Sequence, residues 1–476
     1  MNFEAVIGIE IHVEMKTNSK AFSGGPVKFG QEPNTLVAPL DMAFPGTMPI
    51  LNKQVVINAI RVSNALNMTI DHELWFDRKN YFYSDLPKGF QITQDKRPIG
   101  SNGSLTVKLS DGRLKTIEIE RLHIEEDTCK QLHLDDISLV DYNRAGTPLI
   151  EIVSRPNIRS GEEAMKYVET IRQIVVFTGV SDGKMEEGSM RCDVNVSVRP
   201  FGSDKFGTKV EVKNLNSVAN VKTAIDYEVD RQTKLILSGG AVEQETRRFD
   251  EKTQTTIMMR KKTDAVDYKY FTEPNILPIR LSDEFIQNAI DTCPELASSK
   301  QERYTSNGLS DEEADQMLQN LLMADYLDEC IKVNPKHTKL FWNWITGEAT
   351  AFLNKKFQSF DKFKVTPDNL EKLINMVENG TLSMKMARQV FEVMCEENKD
   401  AEQIASDLGL KQDSNEDEIK KIVEATVDEF PQAVVDFKAG KDRAVGFIVG
   451  QIMKKTKGKV NPQIASKLVL EALKSR

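Results

Sequence analysis

The sequence predicts an α+β protein in which an antiparallel sheet with flanking helices is followed by regions that are helical only. Before about residue 295, several segments alternate apolar and charged residues with the period of two that half-buried strands show. Beyond that point, apolar residues recur at i, i+3 and i+4, the spacing of amphipathic helices. A polar, glycine-containing stretch at 403–414 is typical of a hinge. The patterns predict a sheet domain at 1–295, a helical domain at 296–405 and a basic helical tail domain at 406–476.

The first predicted strand, residues 5–15, has apolar side chains at every odd position. Its even positions carry Glu10, His12 and Glu14, so one face of the strand belongs to a core and the other presents two carboxylates and an imidazole. Side chains on the same face of a strand stand about 6 to 7 Å apart, so Glu10 and His12 are able to reach one cation. The alternative is a solvated outer face.

Length and composition are those of an ordinary globular chain with a sizeable core. It has 476 residues, of which 40% are hydrophobic and 28% charged. It contains no run of 18 apolar residues, and its N-terminus lacks the features of a signal or transit peptide, so we expect a cytoplasmic protein. The five cysteines are scattered without a CxxC pair, which argues against a disulfide framework and against a zinc cluster.

Charge is distributed unevenly along the chain. The net charge is −9, yet residues 437–476 contain ten Lys or Arg and only two acids. A basic segment on an acidic body indicates contact with nucleic acid, because neutralisation of phosphates drives such binding. The alternative is a basic, solvated helix face.

Residues 75–89 combine aromatic side chains, cations and a Pro-Gly turn. Tyr81 and the cations Arg78, Lys79 and Lys88 are residue types able to hold a nucleotide base and its phosphates. An aromatic core strand that ends in a turn is the alternative interpretation.

Two further segments carry acids on predicted strands. Residues 122–127 alternate, which places His123, Glu125 and Asp127 on one face, and Glu151 lies among aliphatic residues. A carboxylate in such surroundings is costly unless it is paired or bound to a metal, so Glu151 belongs either to a metal site or to a buried ion pair.

Strands predicted at 191–199 and 209–213 also have one aliphatic and one charged face. Arg191, Asp193 and Asn195 on the first are suited to contacts with phosphate, metal or ribose, and Glu211 and Lys213 extend the pattern. Residues 247–250 and 259–262 add basic patches.

Seven motifs together resemble one family, the B subunit of the tRNA-dependent amidotransferase that acts on Glu-tRNA(Gln) and Asp-tRNA(Asn). The motifs are GIEIH at 8–12, FDRKNYFY at 76–83, RLHIEED at 121–127, DYNRAGTPLIE at 141–151, KMEEGSMRCD at 184–193, VKNLNS at 212–217 and GFIVGQIM at 446–453. The similarity runs from end to end, and chance matching of such long motifs in order is not a serious alternative.

The resemblance implies a cradle-shaped catalytic domain, similar to the glutamine synthetase and guanido kinase fold, then a helical domain and a tail domain that touches the outer corner of tRNA. It also implies two partners, an amidase A subunit that releases ammonia from glutamine and a small C subunit. In the implied reaction, ATP phosphorylates the side-chain carboxylate of the misattached Glu or Asp, and ammonia then displaces phosphate.

Such a reaction brings like charges together, so cations must neutralise them. We expect Glu10, His12, Glu125 and Glu151 to form a catalytic group that binds Mg²⁺. Four candidate ligands indicate either two ions, or one ion with some of the four residues contacting its ligands rather than the ion itself. Four cations are expected to contact the phosphates of ATP, and Tyr81 to pack on adenine. The four cations are Arg78, Lys79, Lys88 and Arg191.

One departure from the family concerns the early loop. Some members carry four cysteines there that form a zinc site, whereas this chain has Ser23, Gly25, Ala38 and Asp41. None of these is a thiolate, so we expect no zinc and a loop held by packing and hydrogen bonds.

Two other functions remain open at this point. The first alternative to the amidotransferase is a tRNA-binding scaffold whose chemistry resides in its partners. The second is a metal-dependent nuclease that combines acidic strands with a basic tail. A nuclease requires only Mg²⁺, whereas the amidotransferase requires ATP and an aminoacylated tRNA.

Overall fold

The structure, a computed structural model, describes residues 2–261, 268–397, 399–410, 416–438, 443–456 and 460–475. Lys262 of the second basic patch and the end of the predicted hinge, 411–415, lie outside the described residues. The chain divides into two compact units, Met1–Ala297 and Ser298–Arg476. The separation of a helical domain from a tail domain near residue 405 stays a prediction.

All the described strands lie in the first unit. They are β1 (Phe3–Glu14), β2 (Thr69–Ile70), β3 (Glu73–Leu74), β4 (Asp77–Asn80), β5 (Phe90–Thr93), β6 (Gly100–Lys108), β7 (Leu114–Glu126), β8 (Lys130–His133), β9 (Ser138–Asp141), β10 (Pro148–Ser154), β11 (Met190–Pro200), β12 (Val210–Lys213), β13 (Glu245–Asp250), β14 (Thr255–Lys261), β15 (Phe271–Thr272) and β16 (Ile279–Arg280). The helices of this unit are α1 (Lys53–Ala65), α2 (Gly161–Phe177), α3 (Val218–Leu237) and α4 (Asp283–Asp291).

Nine strands form one sheet, in the order β14-β13-β12-β11-β1-β10-β7-β6-β2. The first strand of the chain is therefore the middle strand of the sheet, between β10 and β11. The pairs are antiparallel except for β12 and β13, which are parallel. Helix α3 connects those two strands, and a crossover of that kind brings the chain back in the same direction.

The two faces of this sheet differ in what covers them. Ile7, Ile9, Ile11 and Val13 of β1 are almost completely buried in a core that includes apolar side chains of α1, α2 and α3. Serine caps begin two of these helices, since the side chain of Ser160 accepts from an N–H of α2 and that of Ser217 from one of α3. The other face carries the polar side chains of the strands, and we call it the polar face.

Small sheets extend the unit. The strands β15, β4 and β5 form a three-stranded sheet, and β8 pairs with β9 in a hairpin. The three-stranded sheet is joined to β7, because the amide of Ile92 donates to Glu126 and the amide of Ile124 donates to the side chain of Gln94.

The second unit is helical throughout its described residues. Its α-helices are α5 (Ala297–Ser306), α6 (Asp311–Met317), α7 (Leu321–Val333), α8 (Thr338–Trp344), α9 (Thr350–Lys355), α10 (Pro367–Glu378), α11 (Met384–Glu397), α12 (Ala401–Asp407), α13 (Glu416–Glu429), α14 (Pro431–Lys438), α15 (Arg443–Lys455) and α16 (Pro462–Ser475). A π-helical turn, Ile345–Ala349, joins α8 to α9. Side chains of α13, α14, α15 and α16 share an apolar core that includes Ile419, Ile448 and Val469.

The predicted class, a large sheet with helices followed by a helical region, agrees with the structure. The strand predicted at 5–15 is β1, and those predicted at 191–199 and 209–213 are β11 and β12. Among the described residues, no helix is both long and apolar enough to cross a membrane.

Candidate functional site

Three of the four predicted metal ligands, His12, Glu125 and Glu151, meet on the polar face. His12 on β1 stands opposite Glu151 on β10. The Nε2 atom of His12 lies 3.4 Å from a carboxylate oxygen of Glu151 and 3.6 Å from one of Glu125. One candidate ligand atom from each residue lies within 4.8 Å of the other two.

This donor set suits a small divalent cation. An octahedral Mg²⁺ with bonds of about 2.0–2.1 Å has neighbouring ligand atoms about 3 Å apart and opposite ones about 4 Å apart. Carboxylate oxygens are the ligands that Mg²⁺ and Mn²⁺ prefer, and the imidazole is compatible with Mn²⁺. His12, Glu125 and Glu151 are therefore able to hold one such ion.

A second histidine lies against the same carboxylates. His123 on β7 stands opposite Glu151, and its Nε2 atom is 3.3 Å from Glu151 and 3.7 Å from Glu125. Its Nδ1 atom is buried without a hydrogen-bond partner among the described residues. We call His12, His123, Glu125 and Glu151 the carboxylate–imidazole cluster. The alternation of 122–127 already placed His123 beside Glu125, so a signal for it existed in the sequence.

Burial and charge act in opposite directions on the pKa values in this cluster. Burial lowers the pKa of His123, but Glu151 and Glu125 outweigh it and raise the pKa to about 9. The same two carboxylates outweigh burial at His12 and raise its pKa. Burial raises the pKa of Glu151, but His123 and His12 outweigh it and hold the pKa well below its usual range. The carboxylate of Glu151 is thus kept charged.

Glu10 lies on the same face but outside the group of three. It stands between Val153 on β10 and Asp193 on β11, two residues along the strands from the pair His12 and Glu151. Asn195 donates a hydrogen bond of 3.1 Å to its carboxylate. Burial, then Glu151 and Asp193, raise the pKa of Glu10, so the surroundings of this carboxylate are short of positive charge.

Arg191 extends the site along β11. It stands opposite His12, and its guanidinium contacts Asp127 at 2.7 Å, while Arg144 approaches the same oxygen at 3.5 Å. The Nε atom of Arg191 is buried without a hydrogen-bond partner among the described residues. Glu14 lies close by, and burial together with Asp127 raises its pKa to about 7.

The predicted phosphate-binding cations differ in how far they are already neutralised. Arg78 makes a two-pronged contact with Glu273, which is 1% exposed, and its guanidinium lies 4.0 Å from the ring centroid of Phe90. Lys88 forms an ion pair with the buried Glu126. Both cations therefore hold the three-stranded sheet and its surroundings together.

Lys79 is different. Its ammonium lies 4.8 Å from the ring centroid of Tyr268 and 5.9 Å from that of Tyr81, and it has no carboxylate partner among the described residues. The rings of Tyr81 and Tyr268 meet edge to face at 5.8 Å, and Tyr270 continues the group at 6.1 Å from Tyr268. This aromatic group and its cation are suited to a nucleotide.

The acids Glu273, Glu126 and Asp127, which hold Arg78, Lys88 and Arg191, were not predicted as part of the site. Glu273 is separated from Arg78 by 195 positions, and no local pattern connects them. Asp127 shares its strand face with Glu125, so its position, although not its partner, is visible in the alternation.

The long early loop brings together Ser23, Gly25, Ala38 and Asp41, the four positions considered for a zinc site. Ser23 donates a hydrogen bond of 2.7 Å to Asp41, and the amide of Ala38 donates one of 2.8 Å to the same carboxylate. A β-carbon added at Gly25 would stand 2.7 Å from Asp41. The ammonium of Lys20, which is 0% exposed, lies 2.9 Å from Asp41. We call Lys20, Ser23 and Asp41 the loop clasp.

Comparison with known proteins gives the family. A model described as the GatB/GatE catalytic domain matches residues 5–287, and one described as the GatB domain matches residues 325–473. The B subunit of the aspartyl/glutamyl-tRNA(Asn/Gln) amidotransferase from Mycoplasma mycoides is 47% identical over 99% of this chain and 99% of its own length. The chain belongs to this family. Its members from Oceanobacillus iheyensis and Geobacillus thermodenitrificans are 46% and 47% identical over the full length of both chains.

The resemblance seen in the seven motifs is thus confirmed over the whole chain. The first match covers β1 to α4, which includes the polar face and its cluster. A solved tRNA-binding domain of glutaminyl-tRNA synthetase from Saccharomyces cerevisiae aligns with 38% of this chain and 94% of its own, at 13% identity and a TM-score of 0.25.

Proposed function

We propose that this chain is the subunit of a tRNA-dependent amidotransferase that activates and amidates Glu on tRNA(Gln) or Asp on tRNA(Asn). The observation that carries the proposal is the convergence of His12, Glu125 and Glu151 on one face of the sheet. Membership of the B-subunit family and a nearby group of aromatic rings with Lys79 support the same function.

The first step joins two anions. A carboxylate oxygen of the aminoacyl side chain attacks the γ-phosphorus of ATP, the bond from that phosphorus to the β,γ-bridging oxygen breaks, and ADP leaves. Catalysis of such a transfer consists mainly of holding the reactants in line and neutralising their charge. An acyl phosphate forms on the side chain of the amino acid.

The residues of the polar face account for the neutralisation. His12, Glu125 and Glu151 would hold Mg²⁺, which when bound polarises phosphate oxygens and offsets their charge. We assign Glu10 to the same group as a carboxylate next to these ligands, since it stands two residues from His12 on the same strand face and its pKa is raised. The imidazolium of His123 keeps Glu151 and Glu125 in place from the other side.

The nucleotide is assigned to the side of the cluster that adjoins the three-stranded sheet. Lys79 is the cation there that is free of an acid among the described residues, so it is the first candidate for a phosphate contact. Arg191 has an unpartnered Nε atom and is the second. Arg78 and Lys88 contribute positive charge that Glu273 and Glu126 reduce.

Tyr81 remains our candidate for packing against adenine, since its ring lies in the aromatic group beside Lys79. A ring of this kind binds a base through its face and lets a neighbouring cation meet the phosphates.

In the second step the nitrogen of ammonia attacks the carbonyl carbon of the acyl phosphate, phosphate leaves, and the nitrogen loses a proton to give the amide. Because an acyl phosphate is hydrolysed by water, ammonia is best delivered through protein. We therefore assign an amidase A subunit as the ammonia source and a small C subunit as a further partner. We place the reaction in the cytoplasm, where translation uses its product.

The fold fits these roles. We propose that the first unit is a cradle of the glutamine synthetase and guanido kinase type, with the polar face as its floor. The basic tail is proposed to contact the outer corner of the tRNA, because its helices share a core of their own and carry many lysines on the surface.

The proposal is tested with the complex of this chain and its A and C partners, Glu-tRNA(Gln) and ATP labelled at the γ-phosphate. We expect ADP release that requires Mg²⁺ and the aminoacylated tRNA, and formation of Gln-tRNA(Gln) once glutamine is added. Cleavage of tRNA with Mg²⁺ alone would instead identify a nuclease. Full activity of an E151Q complex would identify a scaffold.

A further inference from the structure

The polar face changes its charge in one direction, from the carboxylate–imidazole cluster toward the β14 edge. Across the strands β1, β11, β12 and β13, neighbouring positions carry Glu10, Asp193, Lys213 and Arg248. The next row, over β11 to β14, carries Asn195, Glu211, Thr246 and Arg260. Each row begins beside the cluster with polar or acidic residues and reaches an arginine near the edge, Arg248 on β13, where Ile257 of β14 follows, and Arg260 on the edge strand β14.

Lys213 marks the point at which the sign changes. Its ammonium lies against Asp193 and 3.3 Å from Glu211, and its side chain is 37% exposed. These two acids raise the pKa of Lys213 against burial, so it remains charged and screens the arginines from the acids of the cluster.

Arg248 and Arg260 are both exposed, and like Lys79 neither pairs with an acid among the described residues. Arg78, Lys88 and Arg191 each have such a partner. On the same stretch, β14 exposes the apolar side chains of Ile257, Met258 and Met259. Guanidinium groups beside apolar surface are typical of contacts with single-stranded nucleic acid, since phosphates and base faces are bound together.

The dimensions also agree with a short single strand. Strands in a sheet are about 4.8 Å apart, so Arg248 stands about 14 Å from Glu10 across three strand spacings. That distance corresponds to about four stacked nucleotides at 3.4 Å each. A single-stranded nucleic acid whose end lies at the cluster therefore has the phosphates about four nucleotides from that end near Arg248, beside the β14 edge.

We propose that the single-stranded 3′ end of the tRNA crosses the polar face from the β14 edge, with its phosphates on Arg248 and Arg260 and its aminoacyl group at the cluster. This inference deepens the proposed function and rests on it. ATP enters from the side of Lys79 and Tyr81, and the acceptor strand enters from the opposite side. The aminoacyl carboxylate and the γ-phosphate of ATP thereby approach each other from opposite sides, which suits in-line transfer.

The test measures binding of Glu-tRNA(Gln) to the complete complex that contains R248A, R260A or both. We expect each replacement to weaken binding about 3- to 10-fold and to reduce the salt dependence by about one counterion, while the KM for ATP stays unchanged. R248K and R260K should recover part of the affinity, because a lysine keeps the charge. R113A is the matched control, since Arg113 is exposed on the turn between β6 and β7 and pairs with Asp111, two positions away.

A tRNA that lacks its last four nucleotides separates the 3′ end from the rest of the molecule. We expect it to bind the wild-type complex as weakly as intact tRNA binds the double variant, and to be insensitive to both replacements. Equal losses with intact and truncated tRNA would overturn the assignment to the 3′ end. A raised KM for ATP with unchanged tRNA affinity would overturn it in favour of the triphosphate. If the wild-type complex itself binds no tRNA, the proposed function fails rather than this path alone.

Discussion

Two groups of buried charges in the first unit, the loop clasp and the carboxylate–imidazole cluster, are built in opposite ways. In the clasp, the one carboxylate of Asp41 receives an ammonium, a hydroxyl and a backbone amide at 2.7–2.9 Å. In the cluster, the imidazoles and carboxylates stay 3.3–3.7 Å apart. The clasp is closed on itself, and the cluster leaves room between its ligand atoms.

The difference shows how a site for a ligand is distinguished from a structural contact. Lys20 also donates to the carbonyl oxygen of Tyr142, so the clasp ties the early loop to the turn that carries Arg144. A closed pair of this kind stabilises the fold and has nothing left to bind. Buried carboxylates in an open group are costly unless a proton or a cation offsets their charge, and this cost becomes affinity for a cation.

Replacing Glu125 by Gln should reduce ATP-dependent amidation by about 10³-fold, because it removes a charged ligand of the ion that offsets phosphate charge. The melting temperature should not fall, since the change relieves repulsion with Glu151. Steady-state kinetics of the complex and a thermal melt measure the two effects. E120Q, on the exposed side of the same strand, is the control and should leave both unchanged. Normal activity in E125Q would mean that the cluster is a closed structural group like the clasp.

Replacing Lys20 by Met should lower the free energy of unfolding by about 3–5 kcal/mol, because it leaves the carboxylate of Asp41 buried without its cation. The double variant K20M/D41L should recover most of that loss, since an apolar pair has no charge to satisfy. Denaturant titration measures both. A K20M protein with unchanged stability and lost activity would show that the clasp, and not only the cluster, takes part in the chemistry.

Lys79 and Arg78, neighbours on β4, differ in the same way: the first is available to a ligand and the second is held in a structural ion pair. K79A should lower kcat/KM for ATP by about 10- to 100-fold, because a charge-assisted contact with phosphate is lost, with little change in stability. R78A should instead destabilise the protein, because it leaves the buried Glu273 unpaired. Kinetics with varied ATP and thermal melts of both variants distinguish the outcomes. Reversed results would exchange the roles of the two cations.

Binding of Mn²⁺ should strengthen with pH by up to about tenfold per pH unit across the neutral range, because the ion displaces a proton from His12. The direction follows from the raised pKa of His12, which keeps it protonated to higher pH than an ordinary histidine. Calorimetry in two buffers with different ionisation enthalpies should detect the released proton. A D41N variant should bind Mn²⁺ as the wild type does. Binding that is independent of pH would exclude His12 as a ligand.

Much of the candidate site was predictable, because strand alternation is a local property. It put Glu10, His12 and Glu14 on one face of β1, and His123 and Glu125 on one face of β7 with Asp127 just after its end. Which of these meet across strands was not predictable. The register places Glu151 beside His12 and leaves Glu10 two residues away, opposite Val153. Register follows from turns and from core packing at a distance.

The sequence likewise did not reveal which of the predicted phosphate-binding cations are already paired with acids. The sequence offers Arg78, Lys79 and Lys88 as equivalent candidates for phosphate contacts, yet the structure holds two of them on the buried acids Glu273 and Glu126. The acids come from distant segments, so no local signal reveals them. For the same reason, the clasp partner of Asp41 was not expected, although the sequence did indicate a loop held without zinc.

Short runs of residues are enough to predict which side chains share a strand face, what chemistry they offer and which family the chain belongs to. Which charges meet, which are already paired and which remain available on the polar face depends on the folded chain. The physical reason is that the energy of a buried charge depends on neighbours a few ångströms away in space, and the chain brings those neighbours from positions more than a hundred residues apart.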